Sequence, residues 1–375
     1  MSKYLKLFET TSQYNEYINS IDVVLPNVSV AKDAPTTVYF NPLHDYSNDY
    51  LTFVALEDGT FTFSMDQKLT TAAVPEMSYS TDNGETWTTV QNIDNEAVTV
   101  ATPTITRGNK VLWKSNAVQY YINPDSYTGS NVGRGSFSST SAYNVEGNIM
   151  SLMYGDDFKG KTSFKTPISS GFGAGIFSKL FTNNPNIISV EHLELPATTL
   201  ANYCYQYMFY NCTSLTTAPE LPVTTLASQC YSKMFNGCTS LTTAPELPVT
   251  TLASQCYSNM FNGCTSLTTA PELPATTLTN YCYYNMFNGC TSLTTAPELP
   301  ATTLVSNCYK SMFQGCTKLN YIKAMFTTTP STSYTKNWVS GVAATGTFVK
   351  NSAATWNVTG VNGIPSGWTI TTASA

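Results

Sequence analysis

The phrase Leu-Pro-x-Thr-Thr-Leu occurs five times, its first leucine at Leu195, Leu221, Leu247, Leu273 and Leu299, so the chain returns to itself every 26 residues. The rest of the unit follows in step: CY-x-x-MF, then C-T-S-L-T-T-A-P-E in the first four copies. All ten cysteines fall in two columns, Cys204, Cys230, Cys256, Cys282 and Cys308, then Cys212, Cys238, Cys264, Cys290 and Cys316. A fixed period of this length marks an array of like units. No unit can bury its apolar residues alone, so neighbours must stack.

Within a unit, Leu200, Cys204 and Met208 stand four apart with Tyr205 and Phe209 beside them, which predicts an apolar stripe on a helix of two to three turns. Asn211, replaced by Gly237, Gly263, Gly289 and Gly315 in later copies, offers the permissive backbone that ends such a helix. Leu215, Ala218 and Leu221 follow at three-residue spacing and predict a short strand with flanking turns, after which Pro222 and two threonines turn the chain back. Rungs at the ~4.8 Å strand spacing would make a solenoid body roughly 24 Å long before its caps.

Around the repeats the chain divides into four stretches. Residues 1–45 carry a short amphipathic start broken by Pro26, Pro35 and Pro42, expected to be an arm that attaches to a partner. Residues 46–145 alternate with period two (Leu51, Phe53, Ala55; Phe61, Phe63; Met77, Tyr79; Val98, Val100), with turn signals at Asp58-Gly59 and Asn83-Gly84, which predicts a β-sandwich. Residues 146–326 hold the repeats behind an irregular cap whose Leu180-Phe181 and Leu193-Glu-Leu-Pro196 look like a degenerate first unit. Residues 327–375 close the far end with strands and the aromatics Trp338, Phe348 and Trp368.

Composition narrows the function. Charged residues are only 11% of the chain and the net charge is −6, with lysine and arginine scattered singly, so the basic stripe of a nucleic-acid binder is missing. No stretch approaches the ~20 apolar residues of a membrane helix. The opening MSKYLKLFETTSQYNEYINS lacks the apolar core of a secretory signal, and Met1 argues against a removed precursor, so synthesis in a cytoplasm is expected. The two histidines, His44 and His192, sit in no motif with a nucleophile or carboxylate at informative spacing, so no catalytic residue and no cofactor is assigned.

Three sets of side chains are candidates for contact with a ligand. Tyr203, Tyr207, Tyr281 and Tyr284 lie at helix positions that vary between repeats among Tyr, Asn, Ser, Gln and Lys. Such a surface suits glycans, because aromatic faces stack on sugars while amides and hydroxyls bond to them; drift of solvent-facing positions explains the variation equally. Thr216, Thr242, Thr268 and Thr294 form a constant column and a competing surface. Glu220, Glu246, Glu272 and Glu298, with Glu194, form a carboxylate column whose mutual repulsion needs water and salt, or bound cations such as Ca²⁺. For the cysteines, CxxC spacing is absent and five members per column cannot all pair. That leaves a ladder of small buried thiols packing like Ala or Val as the plain reading. The LPATT and LPVTT phrases lack the glycine and hydrophobic tail of a sortase signal and serve the repeat turn.

The 26-residue unit resembles the BspA-like leucine-rich repeats of gut Bacteroidetes and of their phages. Upstream, Leu56-Glu-Asp-Gly-Thr-Phe-Thr-Phe63, Tyr79-Ser-Thr-Asp-Asn-Gly-Glu-Thr-Trp87, Lys110-Val-Leu-Trp113 and Gly147-Asn-Ile-Met-Ser-Leu-Met-Tyr-Gly155 resemble the strand-rich module that precedes such arrays. Downstream, Leu319-Asn-Tyr-Ile-Lys323, Asn337-Trp-Val-Ser-Gly341, Gly346-Thr-Phe-Val349 and Gly363-Ile-Pro-Ser-Gly-Trp368 resemble the terminal module. The start KYLKLFETTSQYNEYI resembles the opening of Bacteroides-phage proteins. The resemblance implies surface attachment without chemistry. The expected fold is mainly β: an N-terminal β-sandwich-like module, an α/β leucine-rich-repeat solenoid of five 26-residue repeats, and a β-rich C-terminal cap. The expected role is a phage virion surface protein, as capsid decoration, head fibre or tail-associated protein. It would join other virion proteins through its N-terminal segment and host or mucus glycans or proteins through its repeats, with no nucleic acid and no membrane insertion. Assembly into a homo-oligomer is compatible with this. A ligand-free structural decoration and a bacterial cell-surface adhesin are the alternatives.

Overall fold

The structure, a computed structural model, describes residues 44–65, 76–90, 98–115, 135–164 and 175–373, and one compact unit spans Tyr46–Ala375. The expected N-terminal arm lies outside the described residues apart from His44 and Asp45. Strands dominate, and the single α-helix among the described residues is the one-turn α1, Ser151–Tyr154.

The alternating residues of the N-terminal half form two sheets, neither closed on itself. Six strands run in the order β4 (Thr88–Val90), β3 (Met77–Ser80), β6 (Lys110–Ser115), β1 (Leu51–Ala55), β8 (Tyr143–Asn148), β9 (Ile187–Glu194). Three more run β5 (Val98–Ala101), β2 (Phe61–Met65), β7 (Gly135–Ser139). Their inward residues meet as rings. Phe53 of β1 lies 5.5 Å from Phe61 and 4.8 Å from Phe137, which belong to the smaller sheet, and 5.6 Å from Trp113 of its own sheet. Burying such rings is worth ~1.5–3 kcal/mol each and fixes the register of both sheets.

The Asn83-Gly84 turn folds as the sequence predicts, with both residues at positive φ, 57° and 90°. Ser80 and Asp82 tie it together: the Ser80 hydroxyl donates to the Asp82 carboxylate at 2.7 Å, and the Thr86 N–H donates to the same carboxylate at 2.9 Å. These bonds hold the Asp82 carboxyl down at about 2. Gly59, in the other predicted turn, is required for a different reason: a Cβ there would sit 1.9 Å from the Ser141 Oγ.

Strand β9 carries the fold into the repeats. It pairs in parallel with β8, and on its other side the Ile188 carbonyl accepts the Thr216 N–H at 2.9 Å. At the far end Thr295 bridges to Tyr321, and β10 (Tyr321–Ala324), β11 (Thr347–Asn351) and β12 (Thr369–Ala373) continue as a parallel sheet. Trp338, Phe348 and Trp368 are buried there.

Within the repeats two expectations give way. The first is the strand. The segment Leu-Thr-Thr-Ala-Pro-Glu-Leu-Pro forms only isolated bridges, such as Thr243 to Thr269. Proline has no N–H to give a ladder, and each copy places two prolines in this segment. Where Pro219 is matched by Glu191 at one end, and Pro297 by Lys323 at the other, regular strands β9 and β10 appear.

The second is the helix, and with it the α/β description of the repeat. No helix forms. Residues 203–212 make a run of overlapping four-residue turns in which every fourth residue is left-handed: Tyr203 (φ 59°), Tyr207 (58°) and Asn211 (56°). The backbone bonds alternate. N–H groups of Cys204, Gln206, Met208, Tyr210 and Cys212 donate three residues back, while those of Tyr203, Tyr205, Tyr207, Phe209 and Asn211 donate to carbonyls of the next repeat at 2.8–3.1 Å. An α-helix would spend every N–H inside its own unit. The turn ladder sends half of them sideways, so repeats are joined by backbone as well as by side chains. The apolar spacing of four, read as a helical stripe, is the period of these turns.

The ladder extends beyond the five evident repeats. Gly175 to Asn183 form a turn ladder bonded onto residues 202–210, and Ser331 to Gly341 receive bonds from Asn307, Tyr309, Ser311, Phe313 and Gly315. Columns of like rings run through the stack, Tyr205 to Tyr309 with centroids 5.7–6.1 Å apart and Phe181 to Phe313 at 5.3–5.8 Å.

Candidate functional site

Each repeat offers two outward surfaces, one from the turn ladder and one from the threonine-rich segment. In the turn ladder two of every four side chains point in. Cys204 and Tyr205, then Met208 and Phe209, are fully buried, whereas Tyr203, Gln206, Tyr207 and Tyr210 are partly exposed. Each outward pair thus ends on its left-handed residue, as in Gln206-Tyr207, although Asn259 and Ser311 in the same column are buried. A left-handed conformation costs a residue with a Cβ roughly 1–2 kcal/mol. Asparagine and glycine tolerate it best, and the third column obeys, with Asn211, Gly237, Gly263, Gly289 and Gly315. The first two columns instead accept Tyr203, Gln229, Gln255 and Tyr281, then Lys179, Tyr207, Lys233, Asn259, Asn285 and Ser311. Each inter-repeat bond, worth ~0.5–1.5 kcal/mol net, offsets part of that strain.

Tyr203, Tyr207, Tyr281 and Tyr284 all lie on this turn face, in two groups rather than one pocket. The first group holds Tyr207, with Tyr210 edge-on at 5.4 Å. Lys179 and Lys233, its neighbours in the same column, bring their Nζ atoms to 5.4 and 4.7 Å from its ring centre, and Lys233 Nζ donates to the Tyr207 hydroxyl at 2.6 Å. The second group is Tyr281 edge-on to Tyr284 at 5.8 Å, with Lys310 Nζ 5.3 Å from the Tyr284 ring. Tyr281 is 36% exposed, among the most exposed large apolar side chains described. Three repeats, roughly 15 Å at strand-like spacing, separate the groups. Sequence reading counted Lys233 and Lys310 among the varying positions without assigning them to the site, and missed Lys179 and Tyr210; the 26-residue offset from Tyr207 to Lys233 was the signal that pairs them.

Amides link neighbouring repeats on the same face. Gln206 Nε2 donates to Gln229 Oε1 at 3.0 Å, and Asn285 Nδ2 to Asn259 Oδ1 at 3.0 Å. Part of the polar variation between repeats is thus engaged in the scaffold.

The opposite surface is plainer. Thr216, Thr242, Thr268 and Thr294 are exposed in one column. Thr216 and Thr268 turn their hydroxyls onto carbonyls of the preceding repeat at 2.8 and 3.2 Å, so this ridge spends hydroxyl donors on holding rungs together. Glu220, Glu246, Glu272 and Glu298 are exposed, and Lys323 closes the end of their column with an ion pair to Glu298 at 2.9 Å. Among the described residues no three His, Cys, Asp or Glu side chains come close enough to hold a metal ion.

The cysteines are all buried and free. One column does more than fill space: Cys212, Cys238, Cys264, Cys290 and Cys316 point Sγ at the carbonyls of Phe181, Phe209, Phe235, Phe261 and Phe287 at 3.0–3.1 Å. Burial pushes the thiols up, Cys230 and Cys282 to about 12 and Cys308 to about 11, so none is a nucleophile at neutral pH. His192 stacks flat on Tyr46 at 4.5 Å. No helix among the described residues is long and apolar enough to cross a membrane.

Comparison with known proteins bears on the repeats. The family model of the BspA-type leucine-rich repeat region matches in six copies, over residues 157–260 and 202–337. No curated protein matches the chain, and no solved structure does. The repeats of that family typically bind or support structure rather than catalyse. Residues 157–337, which hold the turn ladders and threonine-rich segments, are similar to the BspA-type leucine-rich repeat region.

Proposed function

We propose that this chain is a non-enzymatic surface-recognition protein: a β-sandwich-like module leading into a leucine-rich-repeat solenoid that presents its turn face to glycoconjugates. The observation that carries the reading is the turn face itself. Backbone bonds between repeats fix its outward columns, and those columns hold Tyr203, Tyr207, Tyr210, Tyr281 and Tyr284 among amides and hydroxyls. Rings on a rigid scaffold lose little entropy when a sugar docks, and the surrounding amides satisfy its hydroxyls. The threonine ridge is the weaker candidate, because two of its four hydroxyls, those of Thr216 and Thr268, are already donated to the backbone.

The setting we propose is a virion surface, with the N-terminal segment joined to other virion proteins; a bacterial surface adhesin would use the repeats in the same way. A glycan array probed with the full chain tests the binding role. Hits that disappear in Tyr203→Ala with Tyr281→Ala, or in Tyr207→Ala, support it. Hits that survive all three substitutions move the site to Thr216, Thr242, Thr268 and Thr294, and an array without hits refutes glycan recognition.

A further inference from the structure

Negative charge is kept off the turn ladders of the repeat region, while the other segments carry both signs, Lys323 pairing there with Glu298. From Gly175 to Gly341 the acidic residues are Glu191 and Glu194 in β9 and Glu220, Glu246, Glu272 and Glu298 in the threonine-rich segments, none of them in a turn ladder. The turn ladders contain no aspartate or glutamate, and they carry Lys179, Lys233, Lys310 and Lys336. A chain of net charge −6 therefore shows one face whose only formal charges are positive. The lysines are also placed. Lys179 and Lys233 flank Tyr207, and Lys310 lies against Tyr284. An ammonium resting on a ring is held in position by the ring's quadrupole. Lys233 uses one of its three donors on the Tyr207 hydroxyl at 2.6 Å and has two more to offer an anion.

From this we infer that the turn face takes an acidic saccharide chain, one bearing carboxylate or sulfate groups, with sugar against Tyr207 and Tyr210 and its anions on Lys179 and Lys233. The Tyr281, Tyr284 and Lys310 group, about three repeats further along, engages the same chain a second time, which selects a polymer over a single sugar. The inference rests on the glycan-binding reading above and adds the class of glycan.

The test uses the immobilised full chain and four soluble polymers of similar length: dextran, polygalacturonate, dextran sulfate and poly-glutamate. The acidic polysaccharides should bind at least about tenfold tighter than dextran, as expected for one or more charge-assisted hydrogen bonds, and lose that margin in high salt. Polygalacturonate and dextran sulfate separate carboxylate from sulfate. Lys179→Asn with Lys233→Asn should erase the preference, bringing the acidic polysaccharides to within about twofold of dextran on that same variant. This variant is safe for folding, because Asn259 and Asn285 already occupy the same left-handed column. Equal binding of dextran and the acidic polymers by the native chain overturns the inference and leaves glycan recognition standing. So does a preference that survives the double substitution. Poly-glutamate binding as tightly as the acidic polysaccharides shows a site for any polyanion and refutes a saccharide site. No binding to any polysaccharide refutes the underlying reading as well.

Discussion

Replacing Gln255 separates the turn ladder from a helix by the sign of one difference. Gln255 has φ 56°, its N–H donates to the Asn280 carbonyl at 3.1 Å, and its own carbonyl accepts the Ser258 N–H at 3.2 Å. Either Gly or Ala keeps both backbone bonds. In a left-handed site alanine retains the Cβ penalty of about 1–2 kcal/mol. Glycine escapes it but gives up roughly 0.5–1 kcal/mol of extra chain entropy. The Gln255→Gly protein should thus be more stable than Gln255→Ala by about 1 kcal/mol. In a helix the order reverses, with alanine ahead by about 1 kcal/mol. The two geometries therefore differ by a swing of about 2 kcal/mol, well above the error of a denaturant midpoint. Urea unfolding followed by near-ultraviolet circular dichroism gives the comparison, provided both variants share one m-value. Adding the same changes at Asn307, in the same column with φ 53°, should enlarge the difference with unchanged sign. An alanine variant that outlasts its glycine counterpart would refute the left-handed ladder and restore the helix.

Other outcomes follow from buried groups. Tyr257 buries a hydroxyl without a hydrogen-bond partner, whereas the Tyr143 hydroxyl accepts from Asn184 Nδ2 at 2.8 Å. Tyr257→Phe should leave the urea midpoint unchanged or raise stability by up to about 1 kcal/mol, and Tyr143→Phe should lower it by about 1 kcal/mol; the reverse order would contradict the burial pattern. A thiol reagent at pH 8 should label native protein only as fast as the protein unfolds, and all ten cysteines at once in urea; quick labelling of native thiols would mean the columns are open to solvent. Because burial raises the folded thiols above their ordinary value of 9.0, to about 11 at Cys308 and about 12 at Cys230 and Cys282, the unfolded chain loses protons first as pH rises. Stability should hold below about pH 9 and fall between 9 and 12, and a urea midpoint flat across that window would contradict it.

How much of this was legible beforehand follows from which residues carry which information. The repeat, its register and its inward columns are written as identities at a fixed interval, so Cys204, Tyr205, Met208 and Phe209 could be placed inside from sequence alone. The N-terminal alternation likewise pointed to the strands that seat Phe53 and Phe61. The turn ladder was not legible, because a spacing of four lies close to the 3.6 of a helix and Tyr203, Gln229 and Lys233 have no marked preference for a left-handed backbone. Only the third column, with its asparagine and glycines, announced that conformation, and there it reads equally as a helix end. The loss of the strand was foreseeable: Pro219 and Pro222 remove donors from a segment that threonine and leucine would otherwise favour.

The same division of labour bears on what the columns are for. Stability is vested in the backbone bonds between repeats and in the stacked rings and thiols beneath them, and none of these depends on the identity of an outward side chain. Outward positions need only tolerate their backbone, and for the least strain every left-handed one would be glycine or asparagine, as the third column nearly is. Lys179, Tyr203, Tyr207, Gln229, Lys233, Gln255, Tyr281 and Ser311 depart from that optimum in the first two columns. Residues held in costly conformations gather where something other than folding selects them. The departures are spread over the repeats, whereas lysines meet tyrosines at two places, Tyr207 and Tyr284, where each cation lies within 5.4 Å of a ring. The pairing stands on two different backbones, left-handed at Tyr207 and Lys233 but not at Tyr284 and Lys310, so it recurs independently of strain, as a recognition surface would require.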